Sequence, residues 1–328
     1  MRNRDNGAGL NTSISIMKGE SKLALFKIQK NETLEVIKEK KFKLEREIQQ
    51  LTEQNLSTIF GLEFVRSEFP LNNFRIDTLA FDLETNSFVI IEYKRDKSFS
   101  VVDQGYAYLS LMLNNKADFI LEYNESKQNT LKRNNIEWSQ SRVMFISPSF
   151  TTYQKEAINF KDLPIELWEI SKFDNDTVMY NQIRTSGSQE SIKTISQQNE
   201  AISVVSKEIK VFTEDDNLIK ASDETKELYE KFKAAILNFD NDIVIKPRKL
   251  YVAFVSGSNI VDIHVQKNSL KMWINLKMGE LDDPKNLARD VSSTGHWGNG
   301  DYELHIKSDD EFEYILSLIK QSLNKNKK

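Results

Sequence analysis

The sequence predicts an α/β protein: a mixed sheet flanked by helices, joined to a second, smaller α+β domain. Three observations carry this expectation. Helix-period segments and apolar strand-like runs succeed one another in an α-β-β-β-α-β order across residues 18–185. A stretch rich in Ser, Gln, Asn, Lys and Glu interrupts the pattern at 186–221 and reads as a polar linker that buries little. Beyond it, residues 222–328 offer a helix, a series of strands and a closing helix. The 328 residues suit about two domains, and 39% hydrophobic with 10% aromatic residues can supply packed cores.

Residues 1–17 are polar and aperiodic and read as a flexible lead. SKLALFKIQ at 21–29 reads as a strand. In KLEREIQQLTEQNLSTIF (43–60), Leu44, Ile48, Leu51 and Ile59 fall at helical spacing, and Gly61 supplies a stop. A strand at 62–69 runs into Pro70 and an Asn-rich turn, and a hairpin follows. Next come a helix at 101–115, strands at 117–123 and 142–150, a helix near 152–159 and a strand at 165–170. In the second half, ETKELYEKFKAAILNF reads as a helix, and strands are expected at 242–246, 250–256, 259–266, 270–276 and 302–307. SDDE at 308–311 reads as a capping box that opens the last helix.

Several classes of protein are disfavoured. No apolar run approaches the ~20 residues of a membrane-spanning helix, and the first residues lack the apolar core of a secretory signal. There is no cysteine, which rules out disulfides and thiolate metal sites and suits a reducing cytoplasm. The three histidines, His264, His296 and His305, are far in sequence from the hairpin, which argues against a zinc enzyme. A net charge of −4 gives no global sign of a nucleic-acid binder, although the field that matters is local to a cleft.

The hairpin FRIDTLAFDLETNSFVIIEYKRDKS carries the chemistry. Asp77 sits in its first strand and Glu92 and Lys94 in its second. Charges among buried strand residues are costly unless paired, hydrated or bound to metal. If the hairpin folds about Glu84–Thr85, Asp77 and Glu92 become direct cross-strand neighbours and Arg75 lies opposite Lys94. Two carboxylates so placed repel each other unless a proton or cation lies between them. An oxygen-only pair suits Mg²⁺, and a lysine on the same face can orient water or meet phosphoryl charge. The plain alternative is a solvent-exposed charged hairpin.

Asp77 followed by Glu92-Tyr93-Lys94 resembles the PD-(D/E)XK nuclease superfamily, whose fold is restriction-endonuclease-like. RID at 75–77 is similar to the matching strand of its NucS-type branch. QGYAY at 104–108 supplies the Gln-x-x-x-Tyr that follows the lysine in RecB-type members, and Gln104 and Tyr108 share a helix face. The resemblance covers roughly residues 20–170. It implies Asp77 and Glu92 as ligands of Mg²⁺ or Mn²⁺ and Lys94 as the group positioning water. It also implies Glu45, near the start of the first helix, as the third acidic ligand and Gln104 as a support for the lysine or water. Glu47 and Glu53 are weaker candidates for that third acid. Arg75, Tyr108, Arg95 and Lys97 stand as contacts to nucleic acid. Phe74 occupies a position where related sequences often have glycine. The function implied is a Mg²⁺-dependent nuclease acting on DNA in repair, restriction or defence. The alternative is a module that keeps the fold and binds nucleic acid or protein without cleavage; intact Asp77, Glu92 and Lys94 favour the enzyme.

In the second domain, ARDVSSTGHWGNGDYELHI (288–306) reads as a tight turn before a strand. Trp297 is expected to pack the turn in preference to stacking on a base, and His296 to be structural. The region resembles an uncharacterised C-terminal domain of bacterial proteins sometimes labelled predicted transport proteins. With no membrane span, transport has no physical support. A homodimer or a protein partner is assigned to this domain as an expectation.

Overall fold

The computed structural model describes residues 25–72, 74–95, 100–160, 162–184, 191 and 200–326. The expected lead at 1–17 and Lys97 lie outside them. The chain opens with β1 (Leu25–Ile28), β2 (Leu34–Ile37) and β3 (Glu39–Lys40), then α1 (Glu45–Glu53), α2 (Leu56–Phe60), β4 (Glu63–Leu71), β5 (Phe74–Asp82) and β6 (Ser87–Tyr93). It continues with α3 (Val101–Asn114), α4 (Lys116–Lys127), β7 (Arg142–Ser147), α5 (Thr152–Ala157), β8 (Ile165–Phe173) and β9 (Val178–Ile183). These build one mixed sheet in the order β3-β8-β7-β6-β5-β4, with β9 also on β8. The β4-β5-β6 meander is antiparallel, whereas β6-β7 and β7-β8 are parallel.

The central strands read as continuous apolar runs because both sheet faces are covered. On one face Leu79, Phe81, Phe88, Ile90 and Phe145 pack beneath α3 and α4. On the other, Ala80, Val89, Ile91, Tyr93 and Met144 meet Ile48 of α1 and Leu56 of α2. Ser100 caps α3, accepting the Asp103 N–H at 3.3 Å. The helix expected over 43–60 is two helices, broken at Asn55, whose amide turns back to the Leu51 carbonyl at 2.8 Å.

Three expectations are corrected. The strand at 117–123 is helix α4; its apolar run places Phe119 and Tyr123 four residues apart on one buried face. The stretch expected as a polar linker at 186–221 lies partly outside the described residues, and over 200–221 it buries more than a linker should. Within it α6 (Glu200–Glu208) contributes Ile202 and Val205, with Ile209 just beyond, to the first core, and α7 (Glu214–Leu218) precedes the second domain. The final helix starts later than SDDE suggests: the Ser308 hydroxyl donates to Asp310 instead of capping.

The second domain comprises α8 (Asp223–Leu237), β10 (Val244–Pro247), β11 (Val252–Ser256), β12 (Ser258–Val265), β13 (Leu270–Ile274), β14 (Arg289–Asp290), β15 (Tyr302–Ile306) and α9 (Phe312–Asn326). Its antiparallel sheet has the order β10-β11-β12-β13-β15-β14, and α8 and α9 share its apolar core. Among the described residues no helix is long and apolar enough to cross a membrane.

Candidate functional site

β5 and β6 pair with Thr78 opposite Ile91 and Leu79 opposite Ile90, the register expected from a turn at Glu84–Thr85. One step further along, Asp77 and Glu92 interlock. The Asp77 N–H donates to Glu92 Oε1 at 3.2 Å, and the Tyr93 N–H donates to Asp77 Oδ2 at 3.0 Å. Each carboxylate thus holds the backbone of the opposing strand. Lys94 stays anchored to the sheet through its N–H to the Ile146 carbonyl at 3.0 Å, and its ammonium lies 3.2 Å from Glu92 Oε2.

Electrostatics single out this pair. Burial, reinforced by the Asp77 charge, pushes the Glu92 carboxyl up to about 7, against the opposing pull of Lys94. Burial also raises Asp77 above the usual carboxylate range; the Tyr93 N–H and Lys94 oppose the rise, while Glu68 and Glu45 add to it. Such a pair is short of positive charge and offers hard oxygen donors, which fits Mg²⁺ or Mn²⁺. Among the described residues, no three His, Asp or Glu side chains converge at metal-holding distance. Glu45 stands outside the pair: its Oε1 accepts the Arg95 N–H at 2.8 Å. Glu47 accepts the Lys43 N–H, and Glu53 accepts the Thr78 hydroxyl.

The remaining expected residues divide. Tyr108 is buried, not at a surface open to phosphate; its hydroxyl faces Glu92 and receives the Gln104 amide at 3.3 Å. Gln104 and Tyr108 therefore support Glu92 from α3. The β5–β6 ladder runs from Thr78–Ile91 to Asp82–Ser87, short of Arg75 and Lys94; Arg75 is exposed, with Nε 2.6 Å from Glu68 Oε2. Arg95 Nη1 donates to the Lys43 carbonyl at 2.7 Å.

Two residues of the site are not evident from the sequence. Buried Gln49 of α1 directs Nε2 to the Asp77 carbonyl at 3.0 Å, Glu53 at 3.1 Å and Glu68 at 3.2 Å, tying helix to strand behind the site. Its one signal is a polar side chain beside Ile48 on an apolar helix face. Glu68 adopts φ +53 in β4 and charges the surroundings of Asp77; nothing in its sequence context marks it.

The second-domain turn is inverted relative to expectation. Trp297 is 54% exposed and meets the His264 ring edge-on at 4.9 Å, while Gly298 packs on buried Trp273. His296 Nδ1 lies 2.8 Å from the Thr294 carbonyl, a local structural contact.

Over 290 residues the chain is 57% identical to an uncharacterized protein of Haemophilus influenzae, spanning 88% of this chain and 96% of that one. This chain belongs to the family of that protein. Residues 214–325, from α7 to α9, also match a family described as a domain of unknown function, DUF5655. Two solved structures have a partial likeness. An EndoMS–dsDNA2 complex is 16% identical with a TM-score of 0.26, covering 40% of this chain and 47% of that one. A repair endonuclease from Pyrococcus abyssi is 21% identical with a TM-score of 0.21, covering 36% and 44%. The chain spans less than half the length of either of these proteins.

Proposed function

We propose that this protein is a divalent-metal-dependent nuclease that hydrolyses phosphodiester bonds of DNA. One observation carries the reading: buried Glu92 and half-buried Asp77 interlock across β5 and β6, with the Lys94 ammonium 3.2 Å from Glu92. Asp77 and Glu92 would hold Mg²⁺, which when bound activates water and neutralises phosphoryl charge. Lys94 offers a compact point charge beside the carboxylates, suited to orient the attacking water or meet negative charge developing on the phosphate. Tyr108 and Gln104 fix the Glu92 side chain from α3, so that it need not reorganise as charge develops. DNA as the substrate follows from the motif resemblance, as do roles in repair, restriction or defence.

A second reading keeps the fold as a non-catalytic nucleic-acid-binding module. It is favoured by the position of Glu45, whose carboxylate is engaged with the Arg95 N–H outside the acidic pair.

The test is incubation with Mg²⁺ or Mn²⁺ and labelled single-stranded, double-stranded and branched DNA. Cleavage by the wild type, lost in Asp77→Ala and Glu92→Ala with the fold retained by circular dichroism, is the expected result. Unchanged cleavage by Asp77→Ala, or none by the wild type with either metal, overturns the nuclease assignment.

A further inference from the structure

We propose that the β1–β2 hairpin is a DNA-contacting arm whose apolar face enters the groove of a duplex held at the Asp77–Glu92 site. The location of that duplex rests on the nuclease reading; the arm itself rests on the following features. β1 and β2 pair with Phe26 opposite Val36 and Ile28 opposite Leu34. Side chains alternate across a strand, so these four share one face. All four are solvent-exposed, at 46%, 58%, 73% and 61% respectively. The strands form a separate two-stranded sheet, closed by a turn in which Glu32 takes φ +62 and Gln29 N–H donates to the Thr33 carbonyl at 2.9 Å. A lone two-stranded hairpin is marginal in water, and a continuous exposed apolar face marks an interaction surface.

Charge identifies the occupant. At the root of the hairpin, residues 38–43 contain four lysines (38, 40, 41 and 43) and one glutamate (39), a local balance of 4 − 1 = +3 in a chain of net charge −4. The hairpin itself is balanced, Lys27 and Lys30 against Glu32 and Glu35, so two copies meeting through this face would leave the basic root without a counter-charge. They would also bury only on the order of 400 Å² each, about half of what a standard partner contributes. A phosphate backbone answers the lysines, and apolar side chains can wedge against base steps of a duplex. Position agrees: the arm leads through β3 to Lys43 and Glu45, both bonded to Arg95, the neighbour of Lys94. DNA lying on Lys94 therefore passes the root of the arm.

The test uses the full chain, a short labelled duplex and its single strand, with binding followed by anisotropy without divalent metal. Molar mass is measured in parallel. Phe26→Ser/Val36→Ser should weaken duplex binding about tenfold while leaving mass and melting temperature unchanged, since the arm lies outside both cores. Lys38→Gln/Lys40→Gln/Lys41→Gln should flatten the salt dependence of log K by about 0.9 for each phosphate no longer neutralised. Unchanged duplex affinity in both variants overturns the arm while leaving the nuclease reading standing. A change of mass without a change in binding overturns it in favour of self-association. Loss of binding in the variants of a wild type that never cleaves supports the arm and overturns only the catalytic reading.

Discussion

Glu92 ionises near 4.5 when exposed, and in the fold burial and the Asp77 charge push it up to about 7. The folded state thus binds a proton that the unfolded chain has already released between those values. Stability falls as pH rises through that window and stays low above it, by up to about 3 kcal/mol. Glu92→Gln should therefore raise the melting temperature at about pH 8 and change it little at about pH 5. An equal shift at both pH values would separate Glu92 from the effect. Asp262, buried in the second domain and likewise pushed up to about 7, contributes the same sign and should leave a residual pH dependence in the variant. Lys94 supplies the second prediction at this scale. Lys94→Ala should lower single-turnover cleavage by about 10²–10³-fold, because its charge acts where the transition state develops. Equilibrium DNA affinity should fall far less, as one phosphate contact among several. Equal losses in both measurements would favour the binding-module reading.

At the scale of elements, legibility depends on whether a signal is local. The hairpin register follows from one assumed turn, and with it come Asp77, Glu92 and Lys94 on one face. Helix α4 reads as a strand because ADFILEY is a short apolar run, and such runs do not separate strand from helix by period alone. Helix α6 is hidden by its polar composition, although Ile202, Val205 and Ile209 recur at helical spacing. Gln49 and Glu68 become visible only once α1 lies against β4 and β5, a contact no local pattern encodes. The loop before β15 is legible as a tight turn, and two of its glycines, Gly298 against the Trp273 ring and Gly300, are required there. Gly300 has φ +85, and a Cβ at this position would strike the Ile274 carbonyl oxygen and Asn275 Cα, both backbone atoms. Gly300→Ala should cost about 2 kcal/mol or more in urea unfolding. Gly257, at φ +68 with open space around it, should cost only about 1 kcal/mol as alanine. Equal costs would remove the steric component.

At the scale of the whole molecule, the hairpin that carries the acidic pair at one end is gripped at its turn by the second domain. Glu84 accepts from Arg248 Nη2 at 2.8 Å and Nε at 3.3 Å, and from Asn259 Nδ2 at 3.3 Å. Lys249 adds its N–H to Gln140 Oε1 at 3.2 Å and its ammonium to Glu137 at 2.6 Å. Beneath the turn, burial works against Asp82, but Arg142 and Arg248 hold its carboxyl below the usual range. The contact is thus an arrangement of partly buried ions, with Arg248 and Glu84 side chains only 16% and 25% exposed. Pairs of this kind contribute little against an apolar substitute but are costly to break from one side, because the remaining charge stays desolvated. Arg248→Ala should therefore cost about 1–3 kcal/mol, less than for a fully buried pair. The loss should fall on the coupling between domains, since neither apolar core contains Arg248. Calorimetry should resolve one transition for the wild type and two for Arg248→Ala. Removing the stranded charge as well, in Glu84→Gln/Arg248→Ala, should recover part of the lost stability without restoring the single transition. A single unshifted transition in Arg248→Ala would mean that the Arg248–Glu84 pair does not couple the domains and that the remaining contacts of Lys249 and Asn259 suffice to do so.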